Sequence, residues 1–284
     1  MTRLIPLGVL ALLTSIAHAA PASAPMSVTR MIEANGHRMA FHVTPGHQPV
    51  IVLDAGGGLD SSYWNSILPS LARSTGSEII TYDRAGMGAS DEVKGAWSLQ
   101  GAAEDLATGL EQLGATHDVI LVADSMAGEV ATALAQRHPE WLSGAVFVDA
   151  SVPQFYTPKE VERVTAENSP GIAALKSAPS TKANRQLLAY AASFAKTSRA
   201  FHEMSWPATV PVVVIVSGTS PFGTPQDALL WRRAQSQFAK GAPNRQLVIA
   251  GGSSHDVVHD RPAIIVTAVR DVISRAGPQS VSAH

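Results

Sequence analysis

Short apolar runs that alternate with amphipathic segments constrain this chain most. The runs are 49–53, 78–82, 119–122, 145–148, 212–216 and 246–249, each four or five residues long and built around Val, Ile and Leu. A strand that is apolar on both faces must be covered on both faces. Segments with helical spacing lie at 62–72, 99–113, 128–136 and 262–274; in 99–113, Leu106, Leu110 and Leu113 share one stripe. Strands and helices in this alternation predict an α/β fold, a mostly parallel sheet between two helical layers. Two more runs, 27–32 and 38–43, alternate around Asn35-Gly36 and predict an antiparallel hairpin. The count is then eight strands.

The longest interval without a strand pattern separates 145–148 from 212–216, and 158–165, 171–176 and 182–201 within it look helical. So long a connection between core strands is expected to be a functional insertion. Residues 153–207 are therefore read as a helical cap over the carboxyl edge of the sheet. At the amino end, Arg3 precedes an apolar run over 4–16, and Ala17-His18-Ala19 puts small residues at a cleavage site. That predicts a secretory signal peptide over 1–19 and a mature chain exported to a bacterial periplasm or exterior. The apolar run is too short to span a bilayer, and no membrane anchor is expected.

Composition narrows the chemistry. Of 284 residues 45% are hydrophobic and 15% charged, with a net charge of −2. Neither a disordered chain nor a nucleic-acid partner fits that balance. The chain has no cysteine, which excludes disulfides, thiolate metal centres, iron–sulfur clusters and a cysteine nucleophile. Any catalysis rests on Ser, His, carboxylates or a cofactor.

Val122-Ala123-Asp124-Ser125-Met126-Ala127-Gly128 joins a strand run directly to a helix. A serine there sits on a sharp turn with its hydroxyl above the sheet, beside the first N–H groups of the helix. Ser125 is thus a candidate nucleophile; a helix cap is the other reading of the same residue. Asp54-Ala55-Gly56-Gly57-Gly58 follows the run 49–53, and consecutive glycines let backbone N–H groups approach a ligand. Met126 and Gly57 are the candidate donors of an oxyanion hole. His255 follows the last run and can reach back across the sheet as general base, then general acid. His259, beside Asp260-Arg261-Pro262, reads as structural.

These residues resemble the α/β-hydrolase family. The resemblance covers almost all of 27–275. It rests on Leu53-Asp54-Ala55-Gly56-Gly57-Gly58, Tyr82-Asp83-Arg84-Ala85-Gly86-Met87-Gly88-Ala89-Ser90, the turn at Ser125, and His255 ahead of Asp260-Arg261-Pro262. It implies an eight-stranded, mostly parallel sheet with helices on both faces and a cap in the long interval. It implies a Ser-His-acid triad with no cofactor and no metal. The sequence departs from the family in two places. The usual Gly-x-Ser-x-Gly reads Ala-x-Ser-x-Ala, followed by Gly128. The loop after 212–216, where the family commonly carries the acid, has no carboxylate before Asp227. Asp149, about two dozen residues after Ser125, stands where some members carry theirs; Asp227 is the alternative acid.

The activity implied is hydrolysis of a carboxylic ester or lactone, on a small-molecule substrate. Amide-cleaving peptidases and cofactor-free perhydrolases use the same triad, and a non-catalytic ligand-binding relative is a third reading. Relatives that open epoxides or remove halides carry Asp at the elbow itself; here Asp124 precedes it and is read as tuning the site. Phe155, Tyr156, Tyr190, Phe194, Phe201, Met204 and Trp206 fall in the cap. They either pack or wall a pocket, and in the second case an apolar or aromatic ester is implied.

Overall fold

The computed structural model describes residues 26–221 and 224–276. The signal peptide expected over 1–19 lies outside the described residues. A hairpin opens the described chain: β1 (Val28–Ala34) and β2 (His37–Thr44) pair antiparallel, with Ala34 opposite His37. Asn35 and Gly36 between them have φ of 50° and 82°. A two-residue turn with both φ positive matches the twist of the flanking strands, which is why Asn-Gly serves there.

Six strands follow: β3 (His47–Asp54), β4 (Ser77–Tyr82), β5 (Val119–Asp124), β6 (Leu142–Val148), β7 (Val212–Ser217) and β8 (Arg245–Ala250). The sheet order is β1-β2-β4-β3-β5-β6-β7-β8. The hairpin joins β4 antiparallel, and every other pair is parallel. Successive residues of the central strands serve opposite faces. Val52, Leu121 and Phe147 pack with Leu106 and Leu110 of α2 (Leu99–Leu113) and Leu134 of α3 (Ala127–Arg137). Leu53, Ile120 and Val146 pack with Leu71 of α1 (Leu68–Thr75) and Ile265 and Val269 of α9 (Pro262–Ala276). The sheet is therefore a buried layer with a core on each side.

One helix differs from expectation. The spacing over 62–72 predicts a single helix, but the structure has a 3₁₀ turn at Ser61–Trp64 and then α1. Pro69 explains the break. Its missing N–H and its ring are tolerated only in a first turn, so α1 starts beside it. The interval 153–207 holds α4 (Pro158–Glu167), α5 (Ser169–Ser177) and α6 (Lys182–His202). α6 is strapped to the turn after β4, where Lys182 Nζ donates to the carbonyls of Gly88 and Ser90 at 2.7 and 2.8 Å. α7 (Pro225–Lys240), absent from the helical spacings read in the sequence, runs between β7 and β8. Among the described residues no helix is long and apolar enough to cross a membrane.

Candidate active site

β5 ends at Asp124 and α3 begins at Ala127, so Ser125 and Met126 alone make the turn. Ser125 adopts φ of 52°, a left-handed conformation uncommon for a residue with a Cβ. The surroundings hold it there. Its N–H donates to Val148 O at 3.2 Å, and its carbonyl accepts from the N–H groups of Ser151 and Gly128 at 2.8 and 3.1 Å. α3 approaches the end of β6 so closely that a Cβ on Gly128 would lie 2.3 Å from Ser151 O. Gly128 thus meets the demand for a small residue, while Ala123 and Ala127 fit in full burial. Gly128→Ala is expected to cost about 1–3 kcal/mol of stability by overpacking, measured by denaturant unfolding.

His255 lies between β8 and the short α8 (Val257–Asp260). Its Nε2 is 3.0 Å from Ser125 Oγ and its Nδ1 is 2.6 Å from Asp149 Oδ2. Asp149 is fully buried, and a buried carboxylate needs donors on its oxygens. Its Oδ1 accepts from Ser217 N–H at 3.1 Å and Trp231 Nε1 at 2.8 Å. The end of β7 thus supplies a backbone donor to an acid held on β6. Burial lowers the His255 pKa, but the bond and charge of Asp149 outweigh it and leave it raised.

Asp227 is elsewhere. It accepts from Thr224 Oγ1 at 2.6 Å and pairs with Arg163 of α4 at 2.9 Å, which ties α7 to α4. His259 pairs with Asp256 at 2.8 Å and packs edge-on against the Tyr63 ring. Its neighbour Asp256 also accepts from Tyr63 OH at 3.0 Å.

The glycine loop faces the serine turn. A Cβ on Gly57 would come within 3.8 Å of Met126 Cβ. Among the described residues, neither the Gly57 nor the Met126 N–H has a hydrogen-bond acceptor. Arg84, in the turn after β4, holds this loop: it binds Asp54, the Gly56 carbonyl, and the Ala55 carbonyl at 2.6 Å. Its own turn is closed by Asp83, which accepts from Ala89 N–H at 2.7 Å and Ser61 N–H at 2.9 Å.

Two buried carboxyl groups flank the site. Burial pushes Asp124 up to about 7, against the opposing charge of His255. Its Oδ2 occupies the space that a Cβ on Gly56 would need, 2.8 Å away. Burial also pushes Glu129 up to about 7. Its Oε1 accepts from Tyr190 OH at 3.3 Å. Sequence reasoning missed Glu129, Tyr63, Trp231 and the loop-holding role of Arg84. A lone carboxylate four residues after Ser125 on an Ala-rich helix was the signal for Glu129. Trp231 had none. Of the aromatic residues at 153–207, Tyr156, Tyr190 and Phe194 line the cavity that contains Ser125 and His255. Phe155, Phe201 and Trp206 are buried in the packed core. Among the described residues no group of three or more His, Asp or Glu could hold a metal ion.

A family model described as the alpha/beta hydrolase family matches residues 51–268. The uncharacterized protein YqjL of Bacillus subtilis (strain 168) is 22% identical over 240 residues, 81% of this chain and 85% of that protein. The esterase EaEST from Exiguobacterium antarcticum shares the fold with a TM-score of 0.65 at 17% identity, over 86% of this chain and 99% of that one. A loop variant of the haloalkane dehalogenase DbeA from Bradyrhizobium elkanii does so with 0.64 at 18%, over 88% and 97%. An esterase and a dehalogenase on one fold show that the fold alone selects no reaction. Sheet order, elbow and family match agree, and the chain belongs to the alpha/beta hydrolase family.

Proposed function

We propose that this protein is a serine hydrolase of carboxylic esters or lactones. One observation carries the reading: the unbroken hydrogen-bonded chain from Ser125 Oγ through His255 to buried Asp149. In this reading His255 Nε2 takes the Ser125 proton as Oγ attacks the substrate carbonyl. The Met126 and Gly57 N–H groups receive the developing oxyanion, helped by the amino end of α3. Imidazolium then protonates the leaving alcohol, and water repeats the sequence on the acyl-enzyme. The elbow side chain is a serine rather than an aspartate, which favours acyl transfer over halide displacement. Of the acidic residues Glu160, Glu162, Glu167 and Glu203 that a substrate amine would need, Glu160 and Glu167 are both bound to Arg163; an aminopeptidase stays the second reading, decided by the anilide arm of the screen below. Residues 153–207 serve as the cap.

A parallel screen of p-nitrophenyl esters, lactones and aminoacyl anilides tests this, together with fluorophosphonate labelling. Ester turnover with an adduct on Ser125 is expected. Binding without turnover supports a ligand-binding relative. Export with removal of 1–19 is also proposed; intact mass of the protein from its native host checks it.

Asp124 supplies a pH test. Its charge adds to the factors that raise the His255 pKa. The base works as neutral imidazole, so activity rises as pH passes up through that pKa. Asp124→Asn removes a carboxyl that itself titrates near 7 and is partly charged there, and so lowers the pKa modestly. The acid limb of kcat/KM is expected to move to lower pH, read from a full pH profile.

A further inference from the structure

Two cavities meet beside Ser125. The first, about 410 Å³, contains Ser125 and His255 and is walled by Tyr156, Phe194 and Trp231. The second, about 470 Å³, lies between the hairpin, α2 and α6, and is walled by Met39, Met87, Trp97 and Ala102. Met126, Leu187 and Tyr190 line both. Gly57 lines only the second; Ser125 and His255 line only the first. The two proposed oxyanion donors, Met126 and Gly57, therefore stand where the cavities adjoin.

This layout sorts the two sides of an ester. A carbonyl carbon bound to Ser125 Oγ, with its oxygen at Met126 and Gly57, has two substituents left to place. The leaving oxygen must lie within hydrogen-bond reach of His255 Nε2, because that atom protonates it. The alcohol side then belongs in the cavity that His255 lines, and the acyl side turns past Met126 into the other.

We propose that the cavity between the hairpin, α2 and α6 is the acyl pocket, and that the substrates are open-chain esters of bulky, mainly apolar acids. The proposal rests on the esterase reading above. An open-chain ester fills both cavities, whereas a small lactone ties its acyl and alcohol arms together and fills one. The charges on the acyl wall argue against anionic acids. Arg84 is matched by Asp54, Glu104 pairs with Arg137, and Asp105 remains, with Asn35 on one oxygen at 2.6 Å and His37 3.1 Å from the other.

The test is a crossed specificity matrix. One series varies the acid of p-nitrophenyl esters from acetate to hexanoate and phenylacetate, with the hemisuccinate as the anionic member. The other varies the alcohol of acetate esters from ethyl to benzyl, followed by pH-stat. Ala102→Leu narrows the proposed acyl pocket, and Ala191→Leu narrows the cavity of Ser125. Ala102→Leu is expected to lower kcat/KM for the bulky acyl esters about tenfold or more relative to acetate, with alcohol preference unchanged. Ala191→Leu should do the reverse. Retained turnover of ethyl acetate, small on both sides of the ester, shows that each variant is folded. Met87→Ala widens the same proposed acyl pocket and should raise relative activity on bulky acids, so the assignment stands on two variants. Reversed patterns, equal effects on both series, or hemisuccinate turned over as well as butyrate overturn the assignment while leaving the esterase reading intact. A wild-type protein that turns over no ester of either series, and takes no phosphonate on Ser125, overturns both.

Discussion

Ser125→Ala is expected to cut ester turnover by about six orders of magnitude, the scale seen when a triad nucleophile is removed. The change deletes one oxygen at the junction of β5 and α3. His255 Nε2, 3.0 Å away in the native protein, then has no proton to take and no covalent intermediate can form. Substrate binding and the backbone donors of Met126 and Gly57 remain, so residual catalysis over water is expected from them alone. The measurements are steady-state turnover and intact mass after a fluorophosphonate. Wild type should gain one adduct and the variant none. Activity within tenfold of wild type places the nucleophile on another residue.

Asp149→Asn is expected to reduce kcat by about four orders of magnitude, with little change in the fold. An amide in place of Oδ2, 2.6 Å from His255 Nδ1, presents a donor where an acceptor is needed. The imidazole then takes the tautomer that carries its proton toward Ser125 and cannot act as base. Oδ1 continues to accept from Ser217 and Trp231 if the amide settles with its oxygen there. Asp227→Asn is the contrasting variant. It should keep turnover and lose about 1–3 kcal/mol of stability, because it weakens the buried contacts to Arg163 and Thr224. If Asp227→Asn loses turnover and Asp149→Asn keeps it, the roles of the two acids are exchanged.

Much of this architecture could be read from residue order. All eight strands and the long helical interval announce themselves through period and composition: the hairpin strands alternate around Asn35-Gly36, and the others are short apolar runs, of which the central ones are buried on both faces. Ser125 and His255 were legible for a related reason: each follows a strand at its carboxyl end. Helix boundaries near Pro69 were not, since apolar spacing continues across a residue that interrupts the backbone bonds. α7 was not among the helical spacings read either. Its buried stripe, Trp231, Ala234 and Phe238, is broken by exposed basic and amide residues.

The acid shows where sequence stops. Residue order alone left Asp149 and Asp227 both open, since each follows a strand end that family members use. The decision came from packing. β6 lies between β5 and β7, so the end of β6 is enclosed from both sides. There Ser217 N–H and Trp231 Nε1 converge on a carboxylate that no solvent reaches. Asp227 is drawn instead to an arginine of α4. By itself the sequence determined the layers, the elbow and the histidine, because these depend on local period and on chain order. Only the tertiary structure decided which carboxylate meets His255, the loop-holding arginine and the two cavities beside Ser125, because each depends on groups far apart in the chain meeting within hydrogen-bond or contact distance.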